Sequence, residues 1–168
     1  MDDSIYRYIA LFLCKRISCM EGKKEILLRV YGFIESKYAE ILIAEEFHYN
    51  QFVRKLPGGG LIPGEGLKDC LLREIKEELN EDALVGKHVY TESDFIQSAF
   101  NSKYQVIGVY FLVSGAATLY DQFREEYELP SLNGEERFRW VKIEKLNPDD
   151  FTFEMDKKAV REFLKQYA

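Results

Sequence analysis

The stretch Leu56–Leu79, LPGGGLIPGEGLKDCLLREIKEEL, limits what this chain can fold into more than any other. Its first half, together with the preceding HYNQFVRK, reads as one loop over 48–66 whose glycines and prolines exclude regular structure through most of it. Its second half places Leu67, Leu71, Ile75 and Leu79 at every fourth residue, which predicts an amphipathic helix over 67–79. Gly59 and Gly64 stand at the spacing of a phosphate-binding P-loop, yet Glu65 occupies the place where that loop has its lysine. At about 100° per residue, Glu74, Glu77 and Glu78 project into one sector beside the apolar stripe. Like charges three and four residues apart repel one another, and on an exposed helix such a cluster is ordinarily a solvated face. Here the cluster follows a glycine loop whose backbone can approach it closely. A hard cation such as magnesium is bound by a few carboxylates together with water and substrate phosphates. The pattern therefore points to a cation held by the helix and a phosphate held through the cation.

The rest of the chain is read around that element. ILLRVYGFI (26–34) and AEILIAEEF (39–47) are β-rich runs joined by the short polar ESKY, which predicts a hairpin. Further strands are expected over roughly 88–97, 104–114 and 137–143. The segment MDKKAVREFLKQY predicts a C-terminal helix with Met155, Ala159, Val160, Phe163, Leu164 and Tyr167 on one face. Helices and strands in this order imply an α/β fold with a sheet covered on both sides. A long acidic connection, Gly115 to Phe138, carries Glu125, Glu126, Glu135 and Glu136. Connections of that length are commonly functional or disordered.

With 168 residues and 46% apolar content, the chain has the makings of one folded domain. Its net charge of −6 gives no general attraction for nucleic acid polymers or anionic membranes, so a polyanionic substrate has to be held locally. Cys14, Cys19 and Cys70 are odd in number and form no CxxC pair, which points away from disulfides and zinc and towards a reducing, cytoplasmic setting. The apolar run Tyr8–Cys14 is too short to span a bilayer and follows acidic residues, unlike a secretory signal. Residues 1–24 read as an N-terminal extension without a motif, and Met20 is an alternative start. Deletion up to Met20 is expected to leave activity largely intact.

Gly59, Glu65, Arg73-Glu74, the apolar Ile75 and Glu77-Glu78 stand at spacings that resemble the Nudix box, the signature of the Nudix hydrolase family. The box covers residues 59–81, and the flanking strands, the Leu56-Pro57-Gly58 lead-in and the terminal helix follow the family's order, so the resemblance extends over 25–168. Two positions depart from it: Asn80 stands in place of glycine and Glu81 in place of an apolar residue. Asn tolerates the left-handed conformation that ends a helix. The change at Glu81 requires Ala83 or Leu84 to supply an apolar contact instead.

The resemblance implies an α/β/α sandwich, a mixed sheet with the box helix on one side and the C-terminal helix packed on the sheet. It implies that Glu74, Glu77 and Glu78, helped by the Gly58 carbonyl, hold Mg²⁺, with Mn²⁺ as an alternative, and that Glu65 and Arg73 pair to fix the loop on the helix around Gly59. The reaction implied is hydrolysis of the pyrophosphate bond of a nucleoside diphosphate linked to another group. Proton removal falls to Glu74 or to a glutamate of the acidic connection: Glu125, Glu126, Glu135 or Glu136. Tyr49, Phe52 and Phe100 are candidates to stack a base, or else to pack in the core, and Arg54 or Lys55 to meet the phosphates. Marks of the ADP-ribose, dinucleoside polyphosphate, coenzyme A and NADH branches are missing, which leaves a (d)NTP or damaged nucleotide as the leading substrate. ADP-ribose or another nucleoside diphosphate sugar is the alternative. A non-catalytic ligand sensor is the reading from another class. The partners implied are a small nucleotide and, as an allowance, a second copy of the chain.

Overall fold

The structure is a computed structural model and describes residues 24–115, 119–123 and 129–166. Strands β1 (Glu25–Ile34), β4 (Gly58–Gly60), β5 (Leu84–Thr91) and β7 (Tyr104–Ser114) form one sheet in the order β4-β1-β7-β5, with β6 (Ile96–Gln97) also paired to β7. The central β1–β7 pair is parallel and the other pairs are antiparallel, so the sheet is mixed. Strands β2 (Glu40–His48), β3 (Gln51–Lys55) and β8 (Glu135–Lys142) form a second, antiparallel sheet in the order β3-β2-β8.

Strand alternation sends neighbouring side chains to opposite sides. Val30 and Ile34 of β1 and Leu42 and Ala44 of β2 pack with Leu71, Ile75 and Leu79 of helix α1 (Leu67–Leu79). The intervening Tyr31, Phe33, Ile41 and Ile43 pack with Met155, Ala159, Val160 and Phe163 of the C-terminal helix, Glu154–Leu164. A one-turn helix, α2 (Leu119–Gln122), adds Leu119 to the first cluster, which makes the C-terminal helix α3. The result is an α/β/α sandwich. Among the described residues, no helix is long and apolar enough to cross a membrane.

Three local expectations change. The ESKY turn forms, with the Ser36 N–H donating to the Glu40 carbonyl at 2.9 Å, but β1 and β2 do not make a hairpin. β1 is paired along its length by β7 on one side and by β4 on the other, so β2 meets it only at a single bridge, Glu35 to Ile41. The strand expected over 88–97 begins at Leu84 and is interrupted between Thr91 and Ile96. The segment 51–60, read as irregular, contributes β3 and β4. Glycine is a poor strand former, yet here its missing side chain is what permits the pairing: a Cβ on Gly58 (φ 131°) would lie 2.2 Å from the Val30 carbonyl oxygen.

The departures after Glu78 are absorbed locally. Asn80 takes the left-handed conformation (φ 53°) and its N–H donates to the Lys76 carbonyl at 3.1 Å, closing α1 as glycine would. Ala83 packs against the α1 core, whereas Leu84 is exposed. Tyr167, the last residue of the expected apolar face of α3, lies outside the described residues.

One polar residue breaks that face. Asp156 is fully buried, accepts a 2.7 Å hydrogen bond from the Tyr110 hydroxyl on Oδ1, and leaves Oδ2 without a partner. Burial pushes this carboxyl up to about 7. The unfolded chain then releases its proton near the ordinary carboxylate value, while the folded protein keeps it until about 7. The group's stabilisation is complete below the unfolded pKa and is lost as pH rises through the folded one. We expect Asp156→Asn to reduce the fall in melting temperature between pH 5 and pH 8, readable by thermal denaturation in matched buffers; an unchanged fall would place the pH dependence elsewhere.

Candidate functional site

Strand β4 lies alongside β1, pairing Gly58 with Tyr31, Gly59 with Val30 and Gly60 with Arg29. This puts the glycine backbone against the exposed side of α1. Glu74 rests directly on Gly59, where a Cβ would lie 2.3 Å from the Glu74 carboxyl carbon. One turn on, Glu78 accepts from the Gly58 N–H at 3.4 Å. A side chain at Gly59 would fill the space the Glu74 carboxylate occupies, whereas one at Gly58 would collide with the β1 backbone at Val30 and Tyr31.

Arg73 organises the arrangement. Its Nε and Nη2 donate to Glu65 Oε2 and Oε1 at 3.0 and 2.8 Å, a bidentate pair, and Nη2 also donates to the Gly60 carbonyl at 3.0 Å. Glu65 Oε1 in turn accepts from the Ile62 N–H at 2.7 Å. The Arg73 hydrogen bonds and that backbone N–H hold the Glu65 carboxyl down at about 2. Arg73 Nη1 then donates to Glu74 Oε1 and Glu77 Oε2 at 2.9 and 3.1 Å. One guanidinium thus ties loop, β4 and two of the acidic side chains together.

The three glutamates do not already form a cage. Glu77 is 60% exposed, Glu74 only 15%, and among the described residues no three acidic, histidine or cysteine groups converge as ready metal ligands. Arg73 takes up two of them, Glu74 and Glu77. Their chemistry nevertheless fits a hard divalent ion. All three offer oxygen donors, two of them meet a backbone with no Cβ in the way, and the charge is under-compensated at Glu78. Burial, then the charge of Glu136, push Glu78 up to about 7, with Glu74 adding to this and Lys55 opposing it.

Beside this site opens a cleft of about 690 Å³. It is lined by Arg29 and Tyr31 of β1, Glu46 and His48 of β2, and Val53 and Lys55 of β3, together with Phe100, Asn101 and Phe153. Lys55 is nearly buried and its ammonium lies 3.0 Å from Glu46 Oε2 and 3.2 Å from Glu136 Oε1. Burial alone would lower this lysine, but Glu136, Glu78 and Glu46 outweigh it and hold the charge on. Glu46 and Glu136 are direct cross-strand partners, a like-charge pairing that Lys55 relieves.

The residues singled out in the sequence divide accordingly. Glu65, Arg73, Glu74, Glu77, Glu78, Gly58 and Gly59 come together. Lys55 and Tyr49 line the cleft, as does Phe100. Arg54 and Phe52 do not: they point to the other face of β3, where Arg54 donates to the buried Glu45 at 2.8 Å and its guanidinium covers the Phe52 ring at 5.8 Å. Of the acidic connection, Glu136 reaches the neighbourhood of Glu78, whereas Glu135 is turned away and accepts the Ser131 and Leu132 N–H groups at 3.0 and 3.1 Å. Glu125 and Glu126 lie outside the described residues. Arg29, Glu46 and His48 were not anticipated. The signal available for Glu46 was a pair of glutamates inside an otherwise apolar strand.

The sequence model of the NUDIX domain matches residues 27–163. Among curated proteins no sequence relative is found. Similar solved structures include the E. coli ORF135 protein, at 19% identity and a TM-score of 0.62, covering 86% of this chain and 93% of that one. The MutT protein from Methanosarcina mazei Go1 is similar at 21% identity and a TM-score of 0.61, covering 86% and 96%. The E. coli dihydroneopterin triphosphate pyrophosphohydrolase is similar at 12% identity and a TM-score of 0.57, covering 83% and 95%. At these identities the likeness is one of fold.

Proposed function

The chain belongs to the Nudix family of hydrolases, and on that premise we propose that it cleaves the pyrophosphate bond of a nucleoside triphosphate, canonical or damaged, with Mg²⁺ held by α1. The observation that carries this reading is the seating of Glu74 and Glu78 on the side-chain-free backbone of Gly59 and Gly58, next to a cleft large enough for a small ligand.

In this reading Glu74, Glu77 and Glu78 hold the cation, and Arg73 keeps Glu74 in place from one side while it clamps Glu65. The bound metal supplies neutralisation of phosphate charge and a lowered pKa for water. Glu74 accepts the proton of the attacking water; Glu136, poised near Glu78, is the second candidate. Lys55 and Arg29, facing the cleft beside these carboxylates, balance the charge of the polyphosphate. The nucleoside portion occupies the cleft between Tyr49, Phe100 and Phe153. That a fold neighbour is named as a dihydroneopterin triphosphate pyrophosphohydrolase is consistent with this choice.

The test is product analysis with Mg²⁺ over canonical and oxidised dNTPs, ADP-ribose, NADH and dinucleoside polyphosphates. The expected products are a nucleoside monophosphate and pyrophosphate. A kcat/KM for ADP-ribose at least tenfold above that of every triphosphate, a transition-state preference of about 1.4 kcal/mol, would overturn the substrate while leaving the reaction class. Binding without turnover would favour a ligand sensor.

A further inference from the structure

The turn that joins β2 to β3 places Tyr49 and Asn50 at its two central positions, and both have positive φ, 48° and 58°. Two-residue hairpins of this kind favour Asn-Gly, and a bulky aromatic in the left-handed region is an outlier. Something beyond the turn has to hold it. The Asn50 N–H donates to Asn133 Oδ1 at 3.0 Å, and Asn133 Nδ2 donates back to Asn50 Oδ1 at 3.1 Å. The neighbouring Gly134 N–H donates to the Phe47 carbonyl at 2.9 Å, so the segment leading into β8 grips the turn at two points.

The conformation has a definite result. Tyr49, 66% exposed, is carried over the mouth of the cleft, with its ring centre 5.2 Å from Phe100 and 4.3 Å from His48. Phe100 is held from the opposite side: its N–H donates to Ser98 Oγ at 3.4 Å, and Phe153 meets its ring edge-on at 6.0 Å. Unfavourable backbone that the surroundings over-determine is characteristic of ligand clamps. Exposed aromatic faces that converge on a cleft offer a planar ring a place to stack.

We infer that the Asn50–Asn133 pair is a latch that positions Tyr49, with Phe100, as an aromatic clamp on the planar ring of the substrate's non-reacting portion. Asn133 is thereby a positioning residue for substrate selection, although it lies on a different segment from every cleft aromatic. The inference rests on the reading that the cleft takes the nucleoside portion of a nucleotide.

Two substitutions act on the latch differently. Asn133→Ala deletes it from outside the turn. Asn50→Gly removes only the half in which Asn133 Nδ2 donates to Asn50 Oδ1, keeps the backbone N–H that donates to Asn133 Oδ1, and supplies the residue the turn favours, so loss of the hairpin cannot account for the result. Kinetics are measured with the best nucleotide of the panel above, and inorganic tripolyphosphate, which has the phosphates but no ring, is titrated as a competitor. Asn133→Ala is expected to raise KM about tenfold and Asn50→Gly about threefold, with kcat changed less than twofold in both, while the tripolyphosphate inhibition constant moves less than twofold. Tyr49→Ala should behave as Asn133→Ala does, and combining the two should add little, because both act on one contact. If Tyr49→Ala raises KM and neither latch variant does, the latch is overturned. If none of the three raises KM, the clamp is overturned while hydrolysis stands. If the wild-type protein turns over no nucleotide, the functional reading fails first and the clamp falls with it.

Discussion

Glu78→Gln is expected to lower kcat by at least about a hundredfold at saturating Mg²⁺, an effect of roughly 2.7 kcal/mol on the barrier and the lower end of what a lost charge-stabilising group costs. The substitution keeps the shape of the side chain, and an amide oxygen can still accept from the Gly58 N–H. It removes a negative charge from a place where burial, Glu136 and Glu74 already oppose ionisation. The metal-free protein should therefore melt no lower than wild type. Activity and melting temperature measured on the same sample separate the two consequences. Wild-type turnover in the variant at the same Mg²⁺ concentration would remove Glu78 from the metal site.

A comparable loss is expected from Gly59→Ala, about tenfold to a hundredfold in kcat/KM, from the displacement of a reacting group by around an ångström. The added Cβ would lie 2.3 Å from the Glu74 carboxyl carbon and 2.4 Å from each oxygen, so the carboxylate must leave its seat. Because the end of a flexible side chain is what moves, stability should change little. Gly58→Ala is the control: there the Cβ meets backbone, the Val30 oxygen at 2.2 Å and the Tyr31 Cα at 2.9 Å, at a φ that disfavours any side chain. That variant should lose several kcal/mol of stability in denaturant titration. Full activity in Gly59→Ala would show that the position of Glu74 on Gly59 is unimportant.

The parts of this molecule that could be read in advance are those set by local periodicity. Helix α1 spans Leu67–Leu79 as its apolar repeat requires, and Asn80 ends it by a conformation that its own side chain tolerates. The pairing of Glu65 with Arg73 across the loop also has the expected form, although the reach of Arg73 to Gly60, Glu74 and Glu77 does not follow from spacing. What could not be read is set by strand partners far away in the chain. Arg54 and Lys55 are adjacent and equally basic, and only the register of β3 on β2 decides between them. Arg54 stands directly opposite Glu45 and is consumed by it, while Lys55, one residue on, faces the cleft and meets Glu46 and Glu136. Once 51–60 is taken for a loop, that parity argument is unavailable. The absence of a β1–β2 hairpin has the same origin, since β7, more than sixty residues later, already occupies the edge of β1.

The central claim is that the α1 carboxylates hydrolyse a nucleotide's pyrophosphate bond only through a divalent cation. Its most direct test is a titration of Mg²⁺ into chelator-stripped protein, with pyrophosphate release from the best triphosphate of the panel followed in wild type and in Glu78→Gln. The account predicts no release before metal is added, saturable restoration in the wild type, and a hundredfold lower plateau in the variant. Release that persists in excess chelator, or equal plateaus in the two proteins, would contradict it.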